Sequence, residues 1–216
     1  MKFSFLTYQF CRYPLEHSFV MAKEYGFEGI EVWGARPHAY AYDMDSQNIK
    51  QINDWKKKYN IEVSMFTPEI LAYPYSLTSR LEKERKETLE YLIKSVETAA
   101  AIGTNKMQIV APHPGYSVNR KVVWEKLVEG IGQLCKRAEQ VGVDIIMEAL
   151  SPSEGGNILT TADDLLDLFE DVGSPVLKAM IDVVPPVIAN EPFSEYFDKL
   201  KEKMAYIHFC NSDGVT

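Results

Sequence analysis

The chain has 216 residues, 46% hydrophobic and 25% charged, a balance that suits one soluble domain with a sizeable core. Its net charge of −8 argues against a nucleic-acid surface, which requires clustered Lys and Arg. No apolar run approaches the roughly 20 residues that span a bilayer, and the start MKFSFLTYQFCRYP lacks the pattern of a signal peptide, so no membrane association and a cytoplasmic location are expected.

Apolar, strand-like runs then alternate with helical stretches. Residues 2–8 read as a short first strand, and 15–25 as a helix that Gly26 stops. The second strand is 29–33, followed by a loop over 34–42 and a helix over 45–59. The third strand is 61–66, after which Pro68 and Pro74 mark a long loop. The longest helix covers 78–102, and its charged stretch LEKERKETLEYLIK keeps Leu81, Leu89, Leu92 and Ile93 at helical spacing. That stretch reads as a solvated helix face rather than a binding patch. Strand four is 106–110, and the helix over 119–141 ends before Gly142.

Strand five is 143–148. Thr161 begins the next helix as its N-cap, with Asp163 and Asp164 in the first turn, where the helix dipole favours acids. Strand six is 176–181, with a turn expected after it at Val183–Pro186. A helix over 193–202 follows Pro192, and strand seven is 204–209. Such alternation predicts parallel strands joined by crossover helices in one α/β domain spanning 1–216. Seven strands do not close an eight-stranded barrel, so the expectation is a barrel whose last strand and flanking helices lie beyond Thr216.

Three strands end on residues that carry chemistry: Glu148 closes VGVDIIME, Asp182 closes VLKAMID, and His208 closes MAYIH. An α/β barrel keeps its chemistry at the carboxyl ends of its strands. Two carboxylates and an imidazole, one from each strand, point to a divalent-metal site. Each also has a structural alternative: a helix cap for Glu148, a turn residue for Asp182, a core histidine for His208. Loop residues at the same face are candidates for substrate contact, namely Trp33, Arg36, His38, Tyr73, His113 and Glu154. No Gly-x-Ser-x-Gly elbow, GxGxxG loop or P-loop is present. Cys11, Cys135 and Cys210 are odd in number and widely spaced, as reduced thiols would be.

The segments GFEGIEVW, IIMEAL, MID and YIHFCNSDG resemble the sugar-phosphate isomerase/epimerase superfamily, whose fold is the xylose isomerase-like (β/α)8 TIM barrel. Further stretches, LEHSFVMAKEYGFEGIEVWGARPHAYAYD, FTPEILAYPY and EYFDKLKEKMAYIHFCNSDG, are similar to its fructoselysine-acting 3-epimerase branch. The resemblance implies one divalent ion, Mn²⁺ or Co²⁺ first and Zn²⁺, Ni²⁺ or Mg²⁺ as alternatives, held by Glu, Asp, His and a last Glu. Glu148, Asp182 and His208 match the first three positions, and the fourth falls on strand eight. It also implies a small-molecule sugar as partner, assembly as a homo-oligomer, and a substrate contact at Glu154.

Two departures bear on the substrate. Where the small ketose epimerases of the group carry a His after the strand-six Asp, this chain has Pro185; where they carry an Arg after the strand-seven His, it has NSDGVT. Both are compatible with a larger, C1-substituted ketose. The reaction so implied inverts C3 of a ketose through an enediolate, with Glu148 as one of two acid–base carboxylates. An aldose–ketose isomerase or a dehydratase using the same site is the alternative. Arg36 is the candidate partner for the carboxylate of a lysine-linked substrate.

Overall fold

The structure is a computed structural model that describes residues 1–112, 114–115 and 118–210. Among these residues, no helix is long and apolar enough to cross a membrane. The chain forms two compact units, the first made of Met1–Glu69, Glu90–Gln108 and Arg137–Val143, and the second of Ile70–Leu89, Ile109–Lys136 and the chain from Asp144 onward.

The first unit carries strands β1 (Ser4–Leu6), β2 (Gly29–Gly34), β3 (Glu62–Pro68) and most of β4 (Lys106–Ile109). They lie side by side in chain order and run parallel. Helix α1 (Leu15–Tyr25) connects β1 to β2, and α2 (Ser46–Tyr59) connects β2 to β3. Parallel neighbours need such crossovers, which is why helical and strand periods alternate in the sequence. β2 is buried along nearly all its length, its run GIEVWG being apolar but for Glu31, whose carboxylate accepts the Thr67 hydroxyl. Phe19, Ile30, Val32, Met65, Phe66 and Met107 are almost wholly buried in this unit.

Gly34 closes β2 where a side chain has no room: an added Cβ would stand 2.8 Å from the Pro68 Cα and against the Phe66 ring. Its carbonyl accepts the Tyr91 hydroxyl at 3.0 Å from α3 (Glu82–Ala101), fixing the end of the strand. The loop after β2 starts from this point.

The second unit carries β5 (Asp144–Glu148), β6 (Leu177–Asp182) and β7 (Met204–His208), parallel and in chain order. Helix α4 (Arg120–Val141) precedes β5, and its residues Leu127, Ile131 and Leu134 are buried. Helix α5 (Ala162–Val172) joins β5 to β6, and opens on the Thr161 cap expected from sequence. Thr161 Oγ1 accepts the Asp164 N–H while Asp164 Oδ2 accepts the Thr161 N–H, a reciprocal capping box.

One element departs from expectation. After Asp182 the chain makes a short helix, α6 (Val184–Ala189), before α7 (Phe193–Leu200). Pro185 and Pro186 suggested a turn, yet prolines in the first helical turn lose no intrahelical hydrogen bond and bring a ready φ. The remaining boundaries agree with the sequence reading to within a few residues, save for the helix expected over 78–102. It starts four residues later, at Glu82, and at 20 residues is not the longest among the described residues, since α4 has 22.

Candidate metal centre

Glu148, Asp182 and His208 are the last residues of β5, β6 and β7, all within the second unit. One ligand atom from each lies within 4.8 Å of the others. His208 Nδ1 stands 3.7 Å from Glu148 Oε1 and 3.8 Å from Asp182 Oδ2. Their side chains are 8%, 13% and 21% exposed in the order Glu148, Asp182, His208, so the group is largely withdrawn from water.

Register explains the meeting. Side chains alternate faces along a strand, so residues directly opposite each other share a face. Glu148 pairs with Met180, two residues before Asp182, which puts Glu148 and Asp182 on one face. Between β6 and β7 the pairing starts as Ala179 with Met204 but continues as Met180 with Tyr206. This one-residue bulge sets His208 opposite Asp182; without it Ile207 would take that place.

Asp182 is held firmly. Its Oδ1 accepts the Val184 N–H at 2.8 Å, from the first residue of α6, and the Cys210 thiol at 3.4 Å. Oδ2 is the oxygen turned to His208. Burial, and then the nearby Asp182 charge, push the Cys210 thiol up to about 12, so it stays protonated and can donate.

The donor set fits a divalent cation. The 3.7 and 3.8 Å separations are too long for hydrogen bonds and of the size adopted by donors flanking one ion. Two withdrawn carboxylates around one imidazole repel each other unless positive charge lies between them. Carboxylate oxygens with an imidazole nitrogen suit Mn²⁺, Co²⁺, Zn²⁺ and similar ions.

The loop after β5 is tied down within the same unit. Arg120 donates to the carbonyls of Asn157 and Ile158 at 2.8 and 3.1 Å and to Asp164 at 2.9 Å. Gly156 packs so closely on Leu150 that a Cβ there would collide with the Leu150 carbonyl. In this loop Glu154 ends a short 3-10 turn, and its Oε2 accepts the Ser151 N–H at 3.0 Å and the Ser151 hydroxyl at 2.6 Å. Tyr73, also in the second unit, is half-buried and meets Tyr75 edge-on at 6.3 Å. His113 lies outside the described residues.

Trp33, Arg36 and His38 belong to the first unit. Trp33 donates its indole N–H to Glu69 Oε2 at 3.0 Å and meets Tyr8 edge-on at 5.0 Å. His38 is buried, with ring nitrogens 3.1 Å from Thr7 Oγ1 and 3.0 Å from the Tyr13 carbonyl. The exposed Arg36 grips Asp43 through two hydrogen bonds, of 2.5 and 2.7 Å, and lies over the Tyr40 ring. Asp43 is held below the usual carboxylate range by that guanidinium. Thr7 and Cys210 were missed by a search for acids and histidines. Both follow the same strand-end rule, Thr7 directly after β1 and Cys210 two residues after His208.

Residues 19–216 match the family described as xylose isomerase-like TIM barrel. The chain is 38% identical over 216 residues to a fructoselysine 3-epimerase of Shigella flexneri, covering all of this chain and 78% of that protein. It is 24% identical over 213 residues to a 3-dehydroshikimate dehydratase of Bacillus anthracis, covering 98% and 72%. A crystal structure of a D-psicose 3-epimerase in the presence of D-fructose superposes with a TM-score of 0.82 at 17% identity, over 96% of this chain and 72% of that one.

Proposed function

This chain belongs to the xylose isomerase-like TIM barrel family, and from that premise we propose that it is a metal-dependent epimerase inverting C3 of a ketose, with fructoselysine and psicoselysine as its pair of sugars. The observation that carries the reading is the convergence of Glu148, Asp182 and His208 at three adjacent strand ends. Whole-chain likeness to a fructoselysine 3-epimerase supports the choice of sugar.

Glu148, Asp182 and His208 would hold one divalent ion, Mn²⁺ or Co²⁺ in our reading. When bound, such an ion supplies Lewis-acid stabilisation to negative charge on the substrate oxygens beside the reacting carbon. Glu148 is the base: its withdrawn carboxylate takes the C3 proton, leaving an enediolate on the sugar. A second acid on the opposite face returns a proton and inverts the centre. Asp182, with Oδ1 fixed by Val184 and Cys210, keeps its other oxygen in place through turnover. Glu154, Tyr73, Trp33 and His113 are proposed as substrate contacts, and Arg36 as the partner of a lysine-linked carboxylate, for which it would exchange Asp43. An unchanged KM in Arg36→Ala would remove Arg36 from that role.

The test is product analysis. Incubation with Mn²⁺ and fructoselysine should give psicoselysine, and free fructose, psicose or tagatose should react more slowly. The similarity to a dehydratase favours one second reading, loss of water beside the same carbonyl. An unsaturated, ultraviolet-absorbing product in place of an epimer would establish it and end the epimerase proposal.

A further inference from the structure

Thr7 starts the 3-10 turn after β1 and is wholly buried. Its hydroxyl oxygen accepts the backbone N–H of Trp33 at 3.0 Å. The same oxygen lies 3.1 Å from His38 Nδ1, while His38 Nε2 lies 3.0 Å from the Tyr13 carbonyl. A carbonyl oxygen has no proton to give, so Nε2 must carry the N–H. Burial pulls the His38 protonation equilibrium down, outweighing the carbonyls of Tyr13 and Phe10 that favour the charged ring. Nδ1 is then bare and accepts the Thr7 O–H.

The result is a directed chain, from the Trp33 N–H to Thr7, from the Thr7 O–H to His38, and from His38 to Tyr13. It joins the segment after β1 to the segment after β2. The Trp33 indole rests edge-on to His38 at 5.9 Å and to Tyr8 at 5.0 Å, and its N–H is given to Glu69. At the other end the Tyr13 ring stacks on His17 at 4.4 Å. Both ring nitrogens of His38 are therefore used inside the protein.

We propose that His38 is a positioning residue, an Nε2–H imidazole that latches Thr7 to Tyr13 and so sets the Trp33 indole, rather than a group that touches the sugar. The inference rests on the reading of Trp33 as a substrate contact. It is tested on two independent arms. Nitrogen-15 NMR of the wild-type protein should show His38 with Nε2 protonated and Nδ1 bare at neutral pH, its signals being those absent from His38→Gln. An Nδ1–H or doubly protonated ring would overturn the latch.

In the kinetic arm, His38→Gln, whose amide can both accept from Thr7 and donate to Tyr13, should keep kcat/KM within about threefold. His38→Ala should raise KM about tenfold with a smaller change in kcat, and should shift the Trp33 indole N–H signal. Thr7→Val with His38→Ala should be no worse than the poorer single variant, as expected of residues acting as a unit. If His38→Gln is as impaired as His38→Ala with the Trp33 signal unmoved, His38 touches substrate and the proposal fails. Absence of turnover in every form would refute the proposed function instead, and the ring state and indole signal would still decide the latch.

Discussion

In the proposed reaction Glu148, one strand-end carboxylate, would both hold an ion and move a proton. Replacing it by Gln keeps the size and removes the charge, so the fold should survive while kcat falls by about 10²- to 10⁴-fold, as loss of a general base does. Circular dichroism and initial rates would check both halves. His38 gives a pH prediction through stability. Its folded-state value lies below the usual 6.5, with burial as the main cause. Above 6.5 both folded and unfolded chains hold the ring neutral, so no dependence arises there. As pH falls below it the unfolded chain takes up a proton that the folded chain resists, and stability declines. Urea unfolding between about pH 8 and pH 5 should show that decline, with a shallower slope in His38→Gln. Strand-end position singled out Glu148, Asp182 and His208 in the bare sequence because each closes an apolar run, and the structure brings the three together. It could not find the His38 latch, because hydrogen bonds from Thr7 and to a backbone carbonyl leave no spacing signature.

Between elements, the decisive feature is the bulge in the β6–β7 pairing, which exchanges Ile207 for His208 opposite Asp182. Strand positions were legible from apolar periodicity, but register across neighbouring strands was not, since it depends on packing from outside either strand. The same limit hid α6, where local rules for proline allow either a turn or a helix start. Helix α5 was legible because its cap is local chemistry. Thr161→Ala removes the acceptor for the Asp164 N–H and should cost about 1 kcal/mol in urea unfolding. A second prediction concerns the same helix end. Glu191 Oε1 accepts the Ala162 N–H at 3.2 Å, while its Oε2 is buried without a hydrogen-bond partner among the described residues. Burial pushes the Glu191 carboxyl above its usual 4.5. A raised acid favours the folded state fully below the unfolded value and loses that contribution as pH rises through the folded one. Glu191→Gln should therefore raise Tm at neutral pH, with the gain shrinking in acid. An equal gain at both would contradict it.

For the molecule as a whole, alternating strands and helices led to the barrel fold and the family match confirmed it, because parallel strands demand crossovers that leave a repeated pattern in sequence. The choice of sugar was legible only through resemblance, since loops that read a substrate carry no periodicity. An ion that binds only the folded state must stabilise it. At about 100 times its Kd, the gain is ~2.7 kcal/mol, a rise in Tm of roughly 5–10 °C for a chain of this size. Adding Mn²⁺ to chelator-treated protein should show that rise, and Asp182→Ala should abolish it. The expected homo-oligomer remains a proposal that light scattering would check. The most direct test of the central claim follows fructoselysine by proton NMR in D₂O with the protein and Mn²⁺. The account predicts ion-dependent loss of the C3 proton signal with growth of the C3 epimer, and neither with Glu148→Gln. Retention of the C3 proton on fructoselysine and on every ketose tried, with Mn²⁺ bound, would contradict it.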